Sequence, residues 1–323
     1  MDKNSLRAVD RLEITVLIDN RTDSLSSVPP EVTLEWNVLH QAGMNEMTGS
    51  CQCCANHGLA LIVRAEIGAE RRTMLFDAGP VDFAVEYNGT RIGVPFKEID
   101  AAMLSHGHWD HAGGLPMALE LIGGTNVPVY LHPGMFRQRA FHLPGGDLLP
   151  IRDIPGPAEL RSKGGDPIVI DHSTTALDDM FFVSGEIPRV TPYETGLPGH
   201  MRRTEHGDGW ELDPLIVDER YLAVNVRDKG LVIFSACSHA GIVNVLHAAR
   251  RDMPDVPVHA VIGGYHLSGA NEAIIDKTVA DFEQFDVDLI LPGHCTGWRA
   301  VNALERAFGP KVVPIAVGMK ISL

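Results

Sequence analysis

Ser105-His106-Gly107-His108-Trp109-Asp110-His111-Ala112-Gly113-Gly114 constrains this chain more than any other stretch. Side chains able to hold a metal fall at positions 106, 108, 110 and 111 in the spacing His-x-His-x-Asp-His, and a glycine pair closes the run. The apolar residues before it, Ile99 to Leu104, read as a short buried strand, and Leu115 to Ile122 after it as a helix. Loops at strand ends are where an α/β layer presents functional groups, and ligands crowded this closely need small neighbours. In an extended loop His106 and His108 point the same way. Asp110 and His111 lie beyond them and can serve a neighbouring ion. Imidazole and carboxylate donors suit borderline divalent metals such as zinc.

Other strand ends offer matching chemistry. Ile14 to Ile18 reads as a buried first strand ending at Asp19-Asn20, preceded by a polar lead-in over residues 1–12. Residues 21–56 are long and weakly patterned, as a lid or binding loop would be. Their Cys51, Cys53 and Cys54 do not have a four-ligand zinc spacing and are expected to be free thiols. Leu59 to Ala65 and Thr73 to Phe76 read as paired strands across a turn at Gly68, the second ending at Asp77. Pro128 to Leu131 is a further strand. Residues 135–180, rich in Pro, Gly and charge, read as insertions over the active-site face. His200 and His206 sit on a polar stretch and are expected to be solvated rather than ligands. Tyr221 to Val226 and Gly230 to Phe234 form a hairpin that delivers Cys237-Ser238-His239 to a strand end. Amphipathic helices follow, with Ile242, Val245, Leu246 and Ala249 on one and Ile275, Val279 and Phe282 on the other. Val258 to Ile262 leads to His266, and Val287 to Leu291 leads to His294-Cys295. Val312 to Val317 and Met319 to Leu323 can close a sheet. With no repeat and no dividing linker, residues 13–323 read as a single domain.

Composition bounds the partners. A formal charge of −15 argues against nucleic acid or an anionic membrane surface. No apolar run approaches the ~20 residues that span a bilayer. The N-terminus lacks the apolar middle of a secretory signal. The five cysteines are odd in number and clustered, unlike a secreted disulfide framework. These features point to a reducing cytoplasm and a small-molecule substrate, and leave homo-oligomerisation open.

The His-rich run resembles the signature of the metallo-β-lactamase superfamily. Asp19-Asn20, His57-Gly58-Leu59, Leu75-Phe76-Asp77-Ala78-Gly79, Gly185-Glu186-Ile187-Pro188-Arg189, Cys237 to Asn244, Gly263-Gly264-Tyr265-His266-Leu267 and Gly293-His294-Cys295-Thr296-Gly297 narrow the likeness. Together they resemble the branch labelled 7,8-dihydropterin-6-methyl-4-(β-D-ribofuranosyl)-aminobenzene-5′-phosphate synthase, from about Ile14 to the C-terminus. The resemblance implies an α/β fold, a four-layer αββα sandwich in a single domain with insertions, and a metal site at one edge. It implies two divalent ions, zinc with manganese or iron as alternatives. One ion would take His106, His108 and His239, the other Asp110, His111 and His294. Asp77 would lie beneath them and orient a ligand. Two ions roughly 4 Å apart can share a water and lower its pKa towards neutrality, with Asp110 orienting it or carrying a proton. Many members place a bridging Asp after the hairpin. Here that position reads Cys237-Ser238-His239, so His239 is expected to stand in.

His266 is a candidate proton-transferring residue. His57 and Arg189 are candidates for holding substrate, since the planar guanidinium suits bidentate anion binding. Cys295 reads as a small packed residue. The leading function is a metal-dependent hydrolase acting on a small anionic or phosphorylated substrate. The branch label gives a transferase as the alternative, condensing a pterin with a ribosylaminobenzene phosphate. A non-catalytic, metal-containing ligand sensor is a further class. A flavodiiron oxidoreductase is disfavoured, because such centres put Glu where His108 stands and carry a flavodoxin domain absent here.

Overall fold

The computed structural model describes residues 6–323, and Met1 to Ser5 of the expected lead-in lie outside it. Two sheets face each other. The first has eight strands in the order Gly165–Val169, Val127–Leu131, Ala101–Met103, Glu70–Phe76, Ala60–Ile67, Arg11–Ile18, Lys320–Ser322, Val32–Thr33. The second has seven. Thr174–Ala176, Phe181–Val183, Leu222–Val226, Gly230–Ser235, Val258–Gly264 and Leu289–Gly293 run in that order, and Ala8–Val9 joins beside Leu222–Val226.

Period-two alternation explains why the sheets stack. In Ala60–Ile67, Leu61, Val63 and Ala65 enter the central core, while Ala60 and Ile62 face the other way. In Gly230–Ser235, Val232 and Phe234 face inward, and Leu231 and Ile233 outward. Phe76 meets Phe234 across the interface with ring centroids 6.1 Å apart. Each such ring, fully buried, stabilises the fold by about 2–3 kcal/mol. Helices Asp82–Ile92 and Leu115–Ile122 cover the outer face of the first sheet. Ile242–Asp252, Ile275–Phe282 and Trp298–Phe308 cover that of the second. The result is the αββα order the resemblance implied.

Three sequence expectations need correction. The lead-in, polar in sequence over residues 1–12, is built into both sheets from Ala8 on, because Ala8–Val9 pairs with Asn225 and Val226, and Leu12 is buried in a strand that starts at Arg11. Residues 21–56 are no lid. They contain the helix Glu35–Gln41 and the strand Val32–Thr33, and none lines the main cavity. Buried Glu35 holds them down by accepting from Cys53 N and Ser24 Oγ, and Asn88 accepts from Cys54 N. Val312 to Val317 is irregular, since Pro314 has no donor for a ladder. This stretch ties the second sheet to the loop after Arg11–Ile18 instead, through Val313 N to Ile290 O and Val317 N to Arg21 O.

A small four-stranded sheet of Trp210–Leu212, His200–Arg203, Arg139–His142 and Leu148–Ile151 stands over one end of the sandwich. Residues 191–214, which show few apolar anchors in sequence, supply half of it. Asn244 holds the approach to this region. Its Oδ1 accepts from Val190 N at 2.8 Å and Thr191 N at 2.9 Å, and its Nδ2 donates to Ala240 O at 2.8 Å. Asn244→Ala leaves these groups without partners, so urea unfolding should show a loss of about 1–3 kcal/mol.

Candidate metal centre

Strand ends converge at one edge of the sandwich. Arg11–Ile18 runs out to Asp19-Asn20, Glu70–Phe76 to Asp77, Ala101–Met103 to His106–His111, and Gly230–Ser235 to Cys237–His239. Val258–Gly264 ends at His266 and Leu289–Gly293 at His294. The chain turns sharply as it leaves them. Asp77, Ser238, His266 and His294 have φ of 56°, 54°, 43° and 46°. Non-glycine residues held this way cost about 1–3 kcal/mol each and gather at functional sites. Gly113 and Gly114 are required here for space, because a Cβ would lie 2.0 Å from Pro80 O and 2.3 Å from Ala78 O respectively.

The hydrogen bonds fix which ring nitrogens face inward. His111 Nδ1 donates to Asp77 Oδ2 at 2.8 Å, leaving Nε2 with its lone pair. Ser105 Oγ donates to the same carboxylate at 2.7 Å, so its lone pair accepts from His106 Nδ1 at 2.9 Å. Asn20 Oδ1 accepts from His294 Nδ1 at 3.0 Å, while Asn20 Nδ2 donates to His294 O at 3.1 Å. His200 Nδ1 donates to Asp213 O at 2.8 Å, so its Nε2 accepts from His108 Nε2 at 3.1 Å. His106 Nε2 and His108 Nδ1 therefore present lone pairs to each other at 2.9 Å. Two lone pairs repel unless a cation lies between them. Both ring nitrogens of His239 and Nε2 of His294 are buried without hydrogen-bond partners.

The remaining donors lie close by. Asp110 Oδ2 is 3.6 Å from His111 Nε2, 3.4 Å from His294 Nε2 and 3.5 Å from His57 Nε2. Donors at about 2.0–2.3 Å from a tetrahedral ion stand roughly 3.3–3.8 Å apart, so these groups fit one. Among the described residues four donor groups emerge, His106-Cys237-His239, His111-Cys237-His294, Cys237-His266-Cys295 and His57-Asp110-His294, with all donor atoms of each within 4.8 Å of one another. Burial holds His106, His108 and His239 well below the usual imidazole range, and neighbouring imidazoles add to this. They are neutral at pH 7, the form that can ligate. Burial alone would raise Asp110, but His111, His294 and His57 outweigh it and hold its pKa at about 2.

The centre floors a cavity of about 420 Å³. His57, His266 and Cys295 stand in its wall, and Trp109, Phe141, Ile151 and Leu197 form an apolar side. No Lys or Arg lines it among the described residues. Arg189 is therefore corrected as a substrate contact. Its guanidinium donates to the carbonyls of Ile187 and Leu215 and braces a loop outside the cavity.

Sequence reading misplaced or missed several residues. His200 is buried rather than solvated and props His108, whereas His206 is exposed. Asp218 and Glu219 are buried staples. Asp218 accepts from Gly107 N at 2.9 Å and Arg139 Nη2 at 2.7 Å, and Glu219 from His239 N at 2.8 Å and Ala240 N at 2.6 Å. The available signal was two carboxylates directly ahead of a buried strand. Cys237 is central, and Cys295 Sγ lies 3.3 Å from its sulfur. All five cysteines are free.

The fold and this site define a metallo-β-lactamase-type protein. The family described as the metallo-beta-lactamase superfamily matches residues 58–202, and the chain belongs to that superfamily and is an enzyme. In curated sequence it is similar to the 7,8-dihydropterin-6-methyl-4-(beta-D-ribofuranosyl)-aminobenzene-5'-phosphate synthase of Methanocaldococcus jannaschii, 29% identical over 79% of this chain and 85% of that one. An uncharacterized protein of the same organism is 30% identical over 78% and 88%. Among solved structures, a metal-dependent hydrolase of the β-lactamase superfamily superposes with a TM-score of 0.70 at 23% identity, covering 96% of this chain and 98% of that one. A metallo-β-lactamase fold protein of Bacillus subtilis gives 0.50 at 13% identity, covering 97% and 100%. Among the described residues no helix is long and apolar enough to cross a membrane.

Two outcomes test the local assignments. His200→Ala should weaken metal affinity about 10–100-fold in chelator competition, as loss of a ligand's hydrogen-bond partner does. His200→Gln, whose carbonyl can still accept from His108, should recover most of it. Arg189→Ala should lower stability to denaturant by about 1–3 kcal/mol with metal content unchanged.

Proposed function

We propose that this chain is a metal-dependent hydrolase with a binuclear centre, one ion on His106, His108 and His239 and the other on Asp110, His111 and His294. One observation carries the reading. His106, His108, His111 and His294 each have one ring nitrogen pinned by a protein acceptor and the other turned towards common ground. Zinc suits the mostly nitrogen donor set, with iron or manganese as alternatives.

Bound divalent ions supply a Lewis acid and an activated water. The protein does the rest. Asp110, kept ionised by three imidazoles, can orient the attacking water through a carboxylate oxygen. His57 and His266, on the cavity wall, are placed to pass a proton to a leaving group. The apolar side at Trp109, Phe141, Ile151 and Leu197 favours a substrate with a ring or acyl portion and excludes water around it. With no Lys or Arg in the wall among the described residues, an anionic or phosphorylated group on the substrate would be held by the ions. Five free cysteines fit a reducing cytoplasm.

The synthase name of the Methanocaldococcus jannaschii relative supports a second reading, group transfer to a second substrate at the same centre. The two differ in what enters. In water enriched in heavy oxygen, hydrolysis places solvent oxygen in the product, and transfer to an organic acceptor does not. Elemental mass spectrometry should find two metal equivalents per chain. His108→Ala and His294→Ala should each lose metal and reduce turnover at least about 10²-fold. Wild-type turnover in either variant would sink the ligand assignment.

A further inference from the structure

We propose that the Cys237 thiolate bridges the two ions, in the place where a carboxylate is the expected ligand. The proposal rests on the binuclear reading above and deepens it. Cys237 is 2% exposed, and its Sγ lies 3.2 Å from His111 Nε2. Its sulfur is the donor common to both groups, standing with His106 and His239 on one side and with His111 and His294 on the other. Independent atoms point at the same place, since both ring nitrogens of His239 and Nε2 of His294 are buried without partners.

Among the described residues Cys237 alone belongs to both the His106–His239 and the His111–His294 group. The Asp110 carboxylate approaches His57, His111 and His294 but stands with neither His106 nor His239. Cys295 Sγ forms a further group with Cys237 and His266, and it joins neither His106 and His239 nor His111 and His294. The backbone holds Cys237 in position. Glu219 grips His239 N and Ala240 N, and Ser238 Oγ donates to Gly264 O at 2.7 Å. As metal enters, the Cys237 S–H bond breaks, its proton leaves to solvent, and the sulfur shares lone pairs with both ions. Nothing is oxidised. Sulfur in both coordination spheres favours zinc or iron over manganese.

X-ray absorption on the full chain loaded with zinc tests this. The expected spectrum has a sulfur neighbour at about 2.3 Å from zinc, one for each ion. A terminal thiolate would give one for every two ions and would overturn bridging. Cys237→Ser should lose the sulfur signal, while Cys295→Ser keeps it, and the reverse pattern would overturn the assignment. Cys237→Asp should still take up two zinc ions, now without sulfur. If Cys237→Ser does not fold, the wild-type and Cys295→Ser spectra decide the matter alone. In the cobalt-loaded chain the same bond should give a thiolate charge-transfer band in the near ultraviolet, absent in Cys237→Ser. Two bound ions without sulfur would refute the bridge and leave the hydrolase reading intact, whereas failure to bind two ions would refute both.

Discussion

A neutral imidazole has one N–H and one lone pair, and the centre depends on which nitrogen carries which. Four acceptors outside the site settle this. The Asp77 carboxylate, the Ser105 hydroxyl that leans on it, the Asn20 amide oxygen and the His200 ring each take an N–H from a histidine. The lone pairs are thereby committed inward. Burial keeps His106, His108 and His239 neutral, and turning their ring nitrogens towards one another beside an ionised Asp110 is favourable where a cation can enter.

The sandwich supplies rigidity for that arrangement. Strands from both sheets end at one edge, and the central core of Val, Leu, Ile and Phe side chains fixes their separation. Sharp left-handed turns then aim the ligands at one another, at an energetic cost that packing beneath them offsets. Asp218 and Glu219 are neighbours on the chain, one gripping the 106–108 loop and the other the 237–239 loop. They couple the ligand loops of the two sheets directly.

The architecture is that of the superfamily, and the candidate centre opens into a cavity with an apolar side. The small sheet contributes Phe141 and Ile151 to an apolar wall, and no Lys or Arg faces the cavity among the described residues. A thiol at the centre gives the site a softer donor set than carboxylate and imidazole alone.

Sequence by itself determined the strands, the motif helices and the convergence of histidines on strand ends. Each is written in local periodicity and spacing, which neighbouring residues fix without reference to the rest of the chain. Helices Asp82–Ile92 and Trp298–Phe308 escaped notice because the first turns Asn88 and Gly89 inward and the second fully buries only Ala300 and Leu304. Tertiary structure alone decided that His200 props His108, 92 residues earlier. It also decided that Arg189 turns to backbone carbonyls, that residues 21–56 pack at a sheet edge, and that the Cys237 sulfur stands between the donor groups. A side chain's partner is set by distances between chain-remote strands, and those are fixed only when the two apolar faces close on each other and exclude water.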